Sequence, residues 1–275
     1  MKKGKLVWLA VMAALVLAPS MVWAQAKATP AKALSEPSFF IELYVGGGGA
    51  SSQSNAFRNL NSPNLAVPIR ASIPGTIDPF VLGGLKFGYW FSPYGTYAVG
   101  NLPDWARYFG IYTDFSYHRL SFANQNGRWT VGAANGTLGF DTSGNLATWA
   151  FMFAGRYGFL PDSQLPFGRL EAYLAVGPAI FFSDARPTAN IQVGAANIGL
   201  NPATKSSVDI GLATETGVRY YFNKAVSVQV SFKYRYFAPK YDFNGTLPGT
   251  TFTYNAQARP DYHLFSGQVG AAYHF

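Results

Sequence analysis

The chain has 275 residues and a formal charge of +8, yet only 12% of its residues are charged and 17% are aromatic. A soluble globular chain carries about 25% charged residues. The chain holds no Cys, which excludes a disulfide framework, a thiolate metal site and a lipid anchor on a cleavage-site Cys.

The N-terminus reads as an export signal. Lys2, Lys3 and Lys5 are followed by an apolar run from Leu6 to Ala18, then Pro19 and Ser20, with small residues at Ala24 and Ala26. This pattern predicts a signal peptide over 1–26, cleaved after Ala24 or Ala26. The run is shorter than the roughly 20 apolar residues that span a bilayer as a helix. Cleavage removes three basic residues and takes the charge from +8 to +5. That modest balance would favour anionic lipid headgroups or lipopolysaccharide, the alternative being a slightly basic protein with no specific partner. The basic residues form no block, which argues against nucleic acid. Residues 27–38 are expected to be an N-terminal periplasmic segment, and 39–275 a barrel domain.

Beyond the signal there is no long apolar run, so helical membrane spans are excluded. Eight segments instead alternate with a period of two and are bounded by turn chemistry. They lie near 39–51, 79–92, 107–123, 146–159, 169–183, 207–222, 226–239 and 262–275. In the sixth, Val208, Ile210, Leu212, Val218, Tyr220 and Phe222 oppose Asp209, Glu215 and Arg219. In the seventh, Val226, Val228, Val230, Phe232, Tyr234 and Tyr236 oppose Ser227, Gln229, Ser231, Lys233 and Arg235. Asn223-Lys224-Ala225 predicts a tight hairpin turn between them. In the last, Phe265, Gly267, Val269, Ala271, Tyr273 and Phe275 share one face. Each segment is one-sided, as successive strand side chains point to opposite faces.

Connector lengths alternate as well. Long stretches at 52–77, 124–145, 184–205 and 240–261 separate shorter turns, the pattern of long external loops and short periplasmic turns. The connector 92–106, with two Pro and Trp105, is long for a periplasmic turn. An open sheet would leave unpaired backbone groups in lipid, so the strands must close on themselves. The expected fold is all-β: an eight-stranded antiparallel up-and-down transmembrane barrel in the outer membrane of a Gram-negative bacterium.

Several stretches carry a family resemblance: Gly84-Leu85-Lys86-Phe87-Gly88-Tyr89-Trp90-Phe91, Gly217-Val218-Arg219-Tyr220-Tyr221-Phe222-Asn223, the run Val228 to Tyr236, and the last strand. From about residue 39 to 275 the chain resembles the small eight-stranded barrels typified by the OmpA membrane domain and the opacity-type surface proteins. The resemblance implies a membrane barrel with exposed loops. It also implies that the terminal aromatics Tyr273 and Phe275 act as an assembly signal for the outer-membrane insertion machinery. The chain is expected to differ from full-length OmpA in lacking a periplasmic peptidoglycan-binding domain.

Strand parity turns Glu42, Lys86, Asp114, His118, Arg156, Glu171, Glu215, Arg219, Lys233 and Arg235 toward the lumen. Mixed charges in a narrow barrel pair and form a polar plug, because buried charges must be compensated. The rival reading is a narrow pore whose charges set selectivity. So many inward charges argue against a largely apolar lumen that admits hydrophobic molecules. A lipid A deacylase would need a Ser nucleophile beside an oriented His. His263 and Ser266 differ in parity, and no local His-x-Ser constellation is present. There is no paired His at metal-ligand spacing. Gly46-Gly47-Gly48-Gly49 lacks a following Gly-Lys-Ser/Thr, so it is read as strand glycine rather than a phosphate loop. Asn135-Gly136-Thr137 and Asn244-Gly245-Thr246 are read as turn chemistry rather than glycosylation sites. The four long loops carry Phe57, Trp129, Phe140, Tyr254 and several Arg, residue types favoured in binding hot spots. The expected function is that of a non-enzymatic outer-membrane barrel, with no cofactor, in a structural or surface-recognition role. A possible extracellular ligand would bind the loops. The alternatives are a narrow channel for small or hydrophobic solutes and, further off, a lipid A-modifying enzyme.

Overall fold

The computed structural model describes residues 38–53, 55–61, 69–73, 77–91, 102–131, 134–193, 196–200, 203–246 and 253–275. The expected signal peptide, residues 27–37 of the N-terminal segment and part of the connector at 92–101 lie outside them.

Among the described residues thirteen strands follow one another: β1 (Phe39–Gln53), β2 (Asn55–Asn61), β3 (Ile69–Ile73), β4 (Ile77–Trp90), β5 (Phe109–Val131), β6 (Ala134–Phe159), β7 (Leu170–Val193), β8 (Ala196–Leu200), β9 (Lys205–Tyr221), β10 (Val226–Phe237), β11 (Tyr241–Thr246), β12 (Thr253–Ala258) and β13 (Asp261–His274). Eight of them form a closed antiparallel ring in the order β1-β4-β5-β6-β7-β9-β10-β13, and β13 pairs back onto β1. The chain's last residue completes the seam: Phe275 N–H donates to Phe39 O at 2.9 Å and Ser38 N–H donates to Phe275 O at 3.1 Å. Following the register once around leads from Glu42 to Ser52, a stagger of ten residues. Such a stagger tilts the strands, and eight tilted strands leave an interior just wide enough for side chains to fill.

The outer face is apolar. Leu43, Val45, Val81, Phe87, Ile210 and Val230 are exposed, Val81 by 80%. Aromatic rings flank this band. At the periplasmic end Phe39 packs on Tyr89, Tyr157 on Phe159, Tyr220 on Phe222 and Tyr273 on Phe275; at the other end Phe115 stacks on Trp149 and Tyr234 packs at a tilt against Phe265. From His263 to Tyr273 on β13, about ten residues at ~3.3 Å each and a tilt of ~40° rise roughly 25 Å, the height of a lipid-facing band.

The structure corrects the expected strand ends. The third strand was expected to stop near 123 and the fourth to begin near 146. Instead β5 and β6 continue as one hairpin to Val131 and Ala134. A one-residue register shift between Phe122 and Gln125 breaks the alternation there. A shift of that kind exchanges the two faces of a strand. The expected loop 184–205 is partly strand, with β7 running to Val193 and β8 pairing against it. The loops 52–77 and 240–261 contain β2, β3, β11 and β12, which join edge to edge as β11-β12-β2-β3-β5. Outside the membrane both strand faces can be polar, so a period-two signal has no reason to persist. In the connector after β4, Asp104–Tyr108 forms a 3-10 helix with Trp105 exposed.

Two periplasmic turns are built from side chains. Asn223 Oδ1 accepts from the Ala225 and Val226 N–H groups, both at 2.8 Å. Asp162 Oδ1 accepts from Gln164 N–H at 2.8 Å and Leu165 N–H at 2.7 Å, and its other oxygen binds Arg169. The Leu165 N–H, then that of Gln164 and the Arg169 side chain, hold the Asp162 carboxyl below its ordinary range.

Glycine admits bulky neighbours to the lumen. A Cβ on Gly84 would stand 2.3 Å from the Tyr44 ring and 2.4 Å from Phe115 O. The missing side chain is therefore the space in which Tyr44 lies. Gly84→Val should lower stability by about 1–3 kcal/mol, the usual cost of overpacking. Thermal unfolding followed by the gel-mobility shift of the folded barrel checks this, and an unchanged midpoint would contradict the packing described.

Candidate functional site

The same alternation that turns apolar residues to lipid turns charged ones inward, and their side chains meet in the lumen. Glu42, Lys86, Asp114, Arg156, Glu171, Glu215, Arg219, Lys233 and Arg235 are all buried. Register sets Glu42 opposite Lys86 and Lys86 opposite Asp114, a row of alternating sign on β1, β4 and β5. On the far wall Lys233 lies opposite Glu215, and Glu171 opposite Arg219.

Some partners lie on neighbouring strands, and the closest bonds also cross the barrel. Lys86 Nζ lies 2.8 Å from Glu42 Oε1 on its neighbour and 2.6 Å from Glu215 Oε1, four strands away around the ring. Lys233 on β10 binds Asp114 on β5, also four strands away, and reaches Glu215 Oε2 at 3.3 Å. Arg219 joins Glu42 at 3.0 Å and Glu171 at 3.5 Å. Nearer the periplasm, Arg156 pairs with Glu171 at 3.1 Å. Its guanidinium lies 4.4 Å from the Trp90 ring centroid and 4.3 Å from that of Phe167.

Phenols and an amide complete the network. Tyr173 and Tyr112 donate to Glu215 at 2.6 and 3.1 Å, Tyr44 to Asp114 at 2.5 Å, and Tyr221 to Glu171 at 3.2 Å. Gln229 accepts from Arg219 at 2.9 Å and donates to Glu42. These five residues were missed by a search restricted to charges. Their signal was available, since each shares the parity of the inward charged positions on its strand. Charges taken from water are tolerated when such bonds satisfy the remaining lone pairs and protons.

Above the network, toward the outside, the lumen turns apolar. Leu82, Leu146, Leu264, Phe181 and Phe237 are buried there, with the last two rings stacked at 4.4 Å. Tyr241 on β11 reaches down to Ser183 Oγ at 2.7 Å. The lumen is thus layered, a division that the inventory of inward charges did not anticipate.

The histidines are dispersed. His118 stacks on Phe80 at 4.1 Å, and His263 on the outer face meets Tyr234 OH at 2.8 Å, while Ser266 is buried inside. His274 Nε2 lies 2.7 Å from Ser227 Oγ, a pair separated by 47 residues in sequence. Its Nδ1 has no hydrogen-bond partner, so the third, orienting group of a nucleophile triad is missing. No cluster of three potential metal ligands occurs among the described residues. Phe57, Trp129, Phe140 and Tyr254 are placed on β2, β5, β6 and β12 by backbone, and their side chains lie outside the described set.

A ring of eight strands with an apolar outer belt, a closed seam and an ion-paired interior has one solvent that suits it. The chain is an eight-stranded outer-membrane β-barrel. No family model and no curated protein matches its sequence. In backbone it is similar to Neisserial surface protein A, with 12% identity, a TM-score of 0.42, and coverage of 86% of this chain and 97% of that one. It is similar to the outer membrane protein OprG from Pseudomonas aeruginosa, at 16% identity and 0.41 over 88% and 97%. It is also similar to Ail, the attachment invasion locus protein of Yersinia pestis, at 12% and 0.36 over 88% and 100%. The barrel's closure is carried by this chain's own register, not by these likenesses.

Glu215 is the most heavily used carboxylate, holding Lys86, Lys233, Tyr112 and Tyr173 together. Glu215→Ala should destabilise the barrel by roughly 3–5 kcal/mol, since it leaves two buried ammonium groups short of a partner. Urea unfolding of the refolded protein in lipid measures this, and a loss below ~1 kcal/mol would mean that the network contributes little.

Proposed function

We propose that this barrel is a sealed, non-enzymatic support that holds β-structure outside the cell. The reading rests on one observation above the others: bonded side chains bridge the lumen across its diameter, from Lys86 to Glu215 and from Lys233 to Asp114. A stacked apolar layer lies over them. Such an interior serves as a core rather than a path. The features left to carry a function are then the strands that continue past the apolar belt. The β5–β6 hairpin and the edge-joined β2, β3, β11 and β12 present extended backbone beyond the barrel. Function is often carried on segments held by such a scaffold.

Planar-bilayer recording tests the seal. The intact protein should give no reproducible conductance step. Ion-selective steps that change on Lys233→Ala or Glu215→Ala would overturn the plug in favour of a pore. The display role has its own test. Shortening the β5–β6 hairpin to a turn at the belt should preserve folding while reducing surface adhesion, phage sensitivity or lipopolysaccharide binding. If that variant and equivalent trims of the other three extensions fold and leave all these properties unchanged, loop recognition in those assays is refuted.

The terminal strand supports the assembly role of Tyr273 and Phe275. Both rings lie on the outer face beside each other, at the strand end where the barrel closes. Replacing both with Ser should reduce the folded fraction in the outer membrane at least severalfold. Equal folded yield, measured by heat-dependent mobility of membrane fractions, would remove this role.

A further inference from the structure

Arg235 stands apart from the other inward cations. Lys86, Arg156, Arg219 and Lys233 each lie within 3.5 Å of a carboxylate. The guanidinium of Arg235 meets two hydroxyls instead, with Nη1 donating to Ser116 Oγ at 3.0 Å and reaching Thr148 Oγ1 at 3.5 Å. Its Nε and Nη2 are buried with no hydrogen-bond partner, and the residue is 1% exposed. An Arg keeps its proton at any ordinary pH, so this charge cannot be shed. Leaving it uncompensated inside a membrane protein is strongly unfavourable.

The nearby carboxylates are already engaged. Asp114 holds Tyr44 and Lys233; Glu215 holds Lys86, Lys233, Tyr112 and Tyr173. Among the buried inward residues of the described barrel, five cations face four carboxylates. The surplus is local, because Arg235 lies where the ion network gives way to the apolar layer. Its register partners are Ala213 and Leu264, and Phe237 follows two residues along the same strand. None of these three side chains offers an acceptor.

We propose that the lumen holds one small monovalent inorganic anion, of chloride size and charge, against Arg235. Two free N–H groups of the guanidinium donate to it. Ser116 and Thr148 accept from Nη1 on the opposite side of the guanidinium and leave the Nε and Nη2 edge to the anion. One monovalent anion offsets the single charge by which the buried inward cations exceed the buried carboxylates. Phosphate or sulfate would bring two charges where one is needed. The apolar layer above closes the site from outside, so the anion is taken up as the barrel folds rather than exchanged through the outer mouth.

The test uses the full mature chain, unfolded and refolded separately in sodium chloride, sodium bromide and sodium gluconate at equal ionic strength. Gluconate, a large organic anion, serves as the reference. A ligand that binds only the folded state stabilises it in proportion to the logarithm of its concentration. The thermal midpoint should therefore rise stepwise with each tenfold increase in chloride, and Arg235→Met should abolish that dependence. Crystals of the wild-type protein refolded in bromide should show an anomalous peak within hydrogen-bond reach of Arg235 Nε and Nη2. A wild-type midpoint indifferent to halide, a variant that keeps the halide dependence, or bromide crystals without a peak at Arg235 would each overturn the proposal. If Arg235→Met fails to fold, the wild-type midpoint and the bromide peak still decide it.

Discussion

Lipid offers no hydrogen bonds, and that single constraint dictates most of this molecule. Every backbone N–H and C=O within the hydrocarbon layer must find its partner in the protein, each failure costing several kcal/mol. Eight strands meet the demand only by closing, and the closure rests on the pairing of β1 with β13 along their whole length. Closure then fixes the interior. With eight strands and a stagger of ten residues the lumen is narrow, so inward side chains from opposite walls touch. A charge placed there cannot stay hydrated, and it must be bonded. The ion network is thus a consequence of barrel size as much as of composition.

Layering along the barrel axis gives that interior a direction. Toward the periplasm, cations lie against aromatic faces, as Arg156 does with Trp90 and Phe167 and Arg219 with Phe40. In the middle, Lys86, Lys233 and Glu215 tie opposite walls together. Toward the outside, stacked rings and Leu side chains take over, and Tyr241 reaches in from β11 above them.

The membrane-spanning part was legible in the sequence because lipid on one side and protein on the other enforce a period of two. The run from Val226 to Tyr236 states its two faces outright. The same rule groups Glu42, Lys86 and Glu215 on inward positions, but parity carries no information about who meets whom across the lumen. Lys86 and Glu215 lie 129 residues apart, and only the stagger of the closed ring brings them together. The phenols of Tyr44, Tyr112 and Tyr173 share that inward parity, but Tyr serves equally as a lipid-facing and a lumen-facing residue, so a search for charges passes over them. Beyond the belt the signal failed altogether. The register shift after Phe122 and the freedom of both faces to be polar made β-structure at 124–145 read as loop.

The absence of Cys from the chain allows the sealed lumen to be tested by chemical access. Ser231 and Ser266 face the interior and are buried, while Ser163 is exposed in the periplasmic turn before β7. Each can be replaced singly by Cys in the folded, membrane-embedded protein and challenged with a small, charged, membrane-impermeant thiol reagent. Ser163→Cys should react rapidly, whereas Ser231→Cys and Ser266→Cys should remain unmodified until the barrel is unfolded. Modification of either lumenal thiol in the folded barrel at a rate close to that of the Ser163→Cys control would contradict a packed, sealed interior.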